Sequence, residues 1–171
     1  MINFNKPLND NFFVIEDLTR NTIISIGTLI LKIRPLEITD YDKGYLNLLS
    51  QLTTVGIINK DKFSSNFNKL PKCHKLFVIE DVTRNTIVSM GTLVVETKFI
   101  HNCSKVGHIE DIVVDRNIRG KGLGKMIVNY LSKLSNDLGC YKCILNCTND
   151  LIEFYKKCNF KNNGCEMSLY H

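Results

Sequence analysis

The sequence predicts an α/β fold built on a mixed sheet. Two observations carry this. Through the second half of the chain, short β-rich runs alternate with segments whose apolar residues recur at helical spacing. In the first half, a β-rich run, a polar Asp-x-Thr-Arg-Asn turn and a second β-rich run occur twice, the pattern of a hairpin. At 171 residues, with 44% apolar and 23% charged, the chain is long enough for one sizeable core.

The two hairpins are copies of each other. Phe13 to Leu29 recurs as Phe77 to Leu93, and every difference exchanges one aliphatic residue for another or for Met (Leu18/Val82, Ile24/Val88, Ile26/Met90). Two copies are too few for a solenoid, so the repeat reads as a duplicated segment. Between the copies, Ile33-Arg34-Pro35-Leu36 ends a strand. Thr39 or Asp40 then caps a helix with Tyr41, Tyr45, Leu48, Leu49 and Leu52 at helical spacing, and a second helix covers Lys60 to Lys69. After the second hairpin come a strand over His108–Val114, a glycine-rich turn and a helix over Leu123–Leu138. Next are a strand over Lys142–Cys147, a short helix over Asp150–Cys158 and a last strand over Glu166–Tyr170. Residues 1–31 are therefore expected as an extension duplicating the hairpin at 77–95, and 32–171 as the working domain.

No apolar run approaches the roughly 20 residues that span a bilayer, and the N-terminus lacks the layout of a signal peptide. A cytoplasmic protein with no membrane partner is expected. The net charge of +5 is carried by scattered lysines and Trp is absent, which argues against a nucleic-acid surface and suits a small phosphorylated ligand. Seven cysteines is an odd number, so structural thiols are expected. Cys140 and Cys143 have the spacing of a metal pair but adjoin a strand, and no metal site is assigned.

The strongest chemical signal is Arg119-Gly120-Lys121-Gly122-Leu123-Gly124-Lys125, between a strand and an amphipathic helix. Glycines let the main chain take positive φ and approach a ligand, and the first-turn N–H groups then face an anion. This predicts a phosphate-binding turn. Its spacing fits neither the P-loop nor the dinucleotide fingerprint.

Following a Val-Val-Asp strand end, this turn resembles the pyrophosphate loop of the GNAT N-acetyltransferase superfamily. A second mark, Phe154-Tyr155-Lys156-Lys157-Cys158-Asn159-Phe160, resembles that superfamily's Phe-Tyr-x-x-x-Gly-Phe element, with Asn159 in the glycine's place. Asn tolerates a left-handed turn best among non-glycines. Further segments, Leu52 to Gly56, Lys98 to His101, His108 to Val114 and Gly139 to Lys142, are similar to the glucosamine 6-phosphate N-acetyltransferase branch, over about residues 32 to 171. The resemblance implies a GNAT fold: a mixed, mostly antiparallel central sheet flanked by helices, with the duplicated hairpin as an extra.

The same resemblance implies acetyl-CoA as co-substrate, no metal, and a homodimer whose sugar pocket crosses the subunit interface, in UDP-N-acetylglucosamine biosynthesis. Ile112, Val113 and Val114 would offer main-chain groups to the pantetheine arm. Arg119, Gly120, Lys121, Gly122, Leu123, Gly124 and Lys125 would hold the pyrophosphate, with Asn146, Tyr155, Lys156 and Lys157 nearby. Thr53, Thr97, Lys98, Phe99, Ile100, Glu110, Asp111, Ile112, Tyr141, Lys142 and Tyr170 would line the sugar pocket. Lys98 and Lys142 suit its phosphate as point charges with three donors each. Asp111 would orient the attacking amine with Glu110 beside it, and Tyr155 would serve the departing thiolate. Two positions depart from the family: Asn146 where an acid is usual, and Tyr170 where some relatives carry a basic residue. A protein or peptide N-acetyltransferase of the same superfamily and a non-catalytic acyl-CoA-binding module remain as alternatives.

Overall fold

The β-rich runs pair in the order in which they occur. The computed structural model describes residues 12–16, 22–26 and 29–169. One sheet runs β1 (Phe12–Glu16), β2 (Thr22–Ile26), β3 (Leu29–Pro35), β4 (His74–Asp81), β5 (Thr86–Thr97), β6 (Lys105–Val114), β7 (Cys140–Ile144). Neighbours are antiparallel up to β6, and β6–β7 is parallel. The helices are α1 (Tyr45–Leu49), α2 (Lys60–Asn68), a single turn α3 (Ile100–Cys103), α4 (Leu123–Asp137) and α5 (Ile152–Lys156).

Alternation within the strands feeds two cores. On one face Leu31, Ile33, Ile79, Leu93 and Ile109 pack with Ile127 and Leu131 of α4 and Tyr155 of α5. On the other, Val78, Met90 and Val113 pack with Tyr45 and Leu48 of α1 and Phe63 of α2. Helices thus cover both faces, as the α/β reading expects. Among the described residues no helix is long and apolar enough to cross a membrane.

The first hairpin copy joins the sheet at its edge, β2 pairing with β3. Its strands do not repeat the register of the second copy. Val14 stands opposite Ile24, whereas Val78 stands opposite Met90, the counterpart of Ile26. The second copy is pinned by cores on both faces and carries irregularities at Ile79/Glu80 and Met90/Thr92, whereas the β1–β2 register runs without a shift. The turn at 17–21 lies outside the described residues.

Three expectations are corrected. The helix expected from Thr39 or Asp40 breaks into a 3₁₀ turn, Ile38–Tyr41, and α1, because Gly44 takes φ 83° between them. Asp40 is fully buried as the counter-ion of Arg34, at 2.6 and 2.7 Å, while Glu37 caps the turn. Arg34 Nε also reaches Glu80 at 2.7 Å, and Glu80 accepts from Lys43 at 2.6 Å, so two acids and two bases balance in the interior. Second, the strand expected over 142–147 is β7, Cys140–Ile144, and residues 145–147 leave the sheet. Third, no strand forms over residues 166–169. Met167 and Leu169 are exposed there, because an extended segment with no neighbouring strand has no ladder to join.

Candidate active site

The central feature is a fork between β6 and β7. The parallel ladder runs only from Lys105/Cys140 to His108/Ile144. Beyond it the strands separate, so β6 from Ile109 onward has no strand on that side among the described residues. Such an edge presents main-chain N–H and C=O groups to a peptide-like ligand.

A bulge shapes the fork. Met90 faces Val113 and Thr92 faces Glu110, so Asp111 and Ile112 together oppose Gly91. Asp111 accordingly has φ 55°. A Cβ at Gly91 would lie 2.4 Å from Ile112 Cδ1 and 2.8 Å from Leu131 Cδ1, so the ends of both side chains would have to shift to admit one. The Val113 carbonyl accepts from Ser89 Oγ at 2.9 Å on the β5 side, and the Val114 carbonyl accepts from Arg119 Nε at 3.1 Å. Of the three residues expected to serve a pantetheine arm, Val113 and Val114 thus have their carbonyls engaged by side chains of this chain.

Glu110 and Asp111 are exposed rather than enclosed in an apolar strand, because the bulge turns them out. Partial burial and the neighbouring Asp111 charge still push the Glu110 carboxyl above its usual range, against the pull of His108.

Past β6, Asp115 Oδ1 caps a 3₁₀ turn by accepting from Asn117 N at 2.8 Å, and Gln51 at the end of α1 accepts from Arg116 N at 2.9 Å. Thr53 follows two residues later, on this side of the sheet. Gly120 (φ 81°) and Gly122 (φ 79°) then reverse the chain into α4, whose start is anchored by buried Leu123. The first turn of α4 holds no acid, and Lys121 and Lys125 are exposed beside it. Free first-turn N–H groups, a positive helix end and two ammonium groups fit a diphosphate.

Gly124 brings α4 against α5: a Cβ there would sit 3.2 Å from Phe154 Cζ. The Tyr155 ring packs edge-on to Phe154 at 4.9 Å. Burial, then the charges of Cys147, Cys158 and Glu110, push the Tyr155 hydroxyl above its ordinary value, so it stays a proton donor. Asn159 takes φ 68° as expected, with Phe160 N donating to Tyr155 O at 3.1 Å to close the helix. Lys156 is engaged with Glu153 at 2.7 Å, and Lys157 is exposed.

The other expected sugar contacts gather elsewhere. Thr97 pairs with Lys105 and Lys142 with Val106, so their main chains lie about 13–17 Å along β6 from Glu110 at ~3.3 Å per residue. Lys98 Nζ is tied to Glu96 at 2.5 Å, and Glu96 also reaches His108 Nε2 at 3.0 Å. Tyr141 packs on His101 at 4.3 Å, within a turn where His101, Asn102 and Cys103 all have φ of 51–59°. Phe99 and Ile100 are exposed beside it. Within one chain the expected site residues therefore fall into two groups: one at the fork, and a basic, aromatic one at the start of β7. Tyr170 lies outside the described residues.

Sequence reasoning missed Gly91 and Tyr45. Gly91 looked like part of the repeat. Tyr45 read as a core residue, yet its hydroxyl feels burial and the charges of Asp111 and Asp40, all of which push it upward. Asn146 is exposed on the β7 side of the fork.

The comparisons agree with this geometry. The model of the Acetyltransferase (GNAT) family matches residues 37–160. Glucosamine 6-phosphate N-acetyltransferase 1 of Dictyostelium discoideum is 46% identical over 143 residues, 82% of this chain and 90% of that protein. Glucosamine 6-phosphate N-acetyltransferase of Candida albicans is 44% identical over 137 residues, 78% of this chain and 91% of its own. The crystal structure of glucosamine-6-phosphate N-acetyltransferase from Arabidopsis thaliana superposes with a TM-score of 0.80 at 43% identity, covering 82% of this chain and 97% of that one. The forked sheet, the glycine turn and these matches together make the chain a member of the GNAT acetyltransferase family.

Proposed function

We propose that the chain transfers the acetyl group of acetyl-CoA to the 2-amino group of glucosamine 6-phosphate, giving N-acetylglucosamine 6-phosphate for UDP-N-acetylglucosamine biosynthesis. The observation that carries this is the fork at the Asp111 bulge opening beside the N-terminus of α4, in a chain so similar to relatives bearing that activity in their names. The α4 end takes the diphosphate and the free edge of β6 takes the pantetheine arm. The neutral amine attacks the thioester carbonyl directly, and most of the gain comes from holding the two reactants together. Asp111 orients the amine and supports its developing positive charge, and Tyr155 donates a proton to the departing thiolate.

The working unit is a homodimer with the sugar pocket shared between subunits. The separation of the two groups of site residues along β6 supports this, as do exposed Phe99, Ile100, Met167 and Leu169. The phosphate at one fork is then met by Lys98 of the partner subunit. Thiol release with acetyl-CoA against glucosamine 6-phosphate, glucosamine and a lysine peptide tests the assignment. The sugar phosphate should be preferred strongly in kcat/KM. Equal values for sugar and sugar phosphate, or preference for the peptide, would refute it.

A further inference from the structure

A polar triad stands on the sheet face opposite α4. Val95 packs into the α4 core, so its neighbour Glu96 projects from the other face of β5. On β6 a Cβ at Gly107 would run into Ser135 of α4, which puts His108 on the same side as Glu96. Glu96 faces Val106 and Val94 faces His108, so Glu96 and His108 are diagonal cross-strand neighbours. Glu96 Oε1 accepts from Lys98 Nζ at 2.5 Å, and Oε2 meets His108 Nε2 at 3.0 Å. The bonds from Lys98 and then His108 hold the Glu96 carboxyl below its usual range. An ionised carboxylate can only accept, so His108 Nε2 carries the donated proton. The main chain of Lys98 is fixed as well: its N–H donates to Ser104 O at 2.8 Å, closing the turn of left-handed His101, Asn102 and Cys103. We propose that Glu96 is a positioning residue: anchored by His108, it aims the Lys98 ammonium at the phosphate of the sugar. This deepens the reading of Lys98 as a phosphate contact and rests on it.

The triad is not a stability device. The side chains of Lys98, Glu96 and His108 are 35%, 41% and 29% exposed, and at such exposure an ion pair adds little to folding. What it supplies is order. A loose lysine side chain loses rotamer freedom when a ligand fixes it, and a partner that fixes it beforehand removes that cost from binding. One of the three ammonium protons goes to Glu96, leaving two for phosphate oxygens. Glu96 lies opposite Val106, about 13 Å along β6 from Glu110 at ~3.3 Å per residue, so a change there acts through Lys98 rather than at the reacting atoms. The carboxylate also repels a phosphate, which separates two roles. If Glu96 aims the ammonium, its loss weakens binding of the sugar phosphate; if it is only a rival for the ammonium, its loss strengthens binding.

Steady-state kinetics of the full chain compare glucosamine 6-phosphate with glucosamine. Glu96→Gln should raise KM for the sugar phosphate about 5- to 10-fold, the scale of one side chain left unordered. Its kcat, KM for acetyl-CoA and kcat/KM for glucosamine should stay within about 2-fold of the parent, and Tm within about 2 °C. His108→Ala also frees Glu110 from the pull of His108, so it is scored by the ratio of kcat/KM for the two sugars, which should fall about 3-fold. His108→Gln, which can still donate, should lose less. In a Lys98→Ala background Glu96→Gln should lower that ratio by less than about 2-fold further. If Glu96→Gln folds poorly, the ratio in His108→Ala decides. An unchanged or lower KM for the sugar phosphate, an equal loss on glucosamine, or full additivity with Lys98→Ala would overturn the proposal. Parent enzyme that prefers the sugar phosphate, with variants that keep the preference, sinks this inference alone. Parent enzyme without the preference sinks the underlying function.

Discussion

Gly91→Ala probes the bulge on which the fork depends. The added Cβ would meet Ile112 Cδ1 at 2.4 Å and Leu131 Cδ1 at 2.8 Å, with Ile127 Cγ1 at 3.5 Å behind them. Gly91 does not have positive φ, so Ala suffers no backbone strain and gains about 0.4–1 kcal/mol by restricting the unfolded chain. Overpacking costs about 1–3 kcal/mol, so a net loss of about 1–2 kcal/mol is expected. At about 2–4 °C per kcal/mol for a chain of this size, Tm should fall by several degrees. Because Ile112 must move, kcat should fall further than stability alone accounts for. Ile112→Val removes the nearer clashing atom, so Gly91→Ala/Ile112→Val should recover part of both losses, a coupling expected only of residues in contact. Differential scanning calorimetry and steady-state kinetics read the two effects. A neutral Gly91→Ala, or a double variant whose losses simply add, would refute the argument that the bulge needs this space.

Tyr155→Phe should lower kcat about 10-fold or more while binding acetyl-CoA nearly as tightly by calorimetry, since only the proton donor is lost. Glu80 offers a pH test: burial works against its ionisation, but hydrogen bonds from Arg34 and Lys43 outweigh that and hold its carboxyl below the ordinary 4.5. Its contribution is therefore present above 4.5 and lost as pH falls through the lowered value. Glu80→Gln should melt earlier near neutral pH and show a shallower decline in Tm below 4.5. Deleting residues 2–27 should leave kcat and KM within a few-fold, since β1 and β2 only extend the sheet edge beyond β3.

What was legible in the sequence was local. The glycine turn, the α4 stripe and the left-handed Asn159 each follow from residues within one or two turns of chain. The bulge was not, because its position depends on how β5 and β6 register over residues far apart in sequence, and Gly91 was masked by lying in a repeat. Asp40 carried a cap signal, yet Arg34 on the neighbouring strand claimed it as a buried counter-ion. The alternation over 166–170 predicted a strand, but a strand needs a partner edge, and within one chain residues 166–169 meet none. The division of the site residues into two groups was likewise invisible, since it is set by the register of β5, β6 and β7.

Subunit complementation tests the shared site most directly. Lys98→Ala and Asp111→Ala should each be nearly inactive alone, one lacking the phosphate contact and the other the group that orients the amine. Refolded together, half the dimers become mixed, and each of those carries one intact site, so about one quarter of parental activity should return. No recovery in a mixture shown by native mass spectrometry to contain mixed dimers, or full activity from a monomer, would contradict the account.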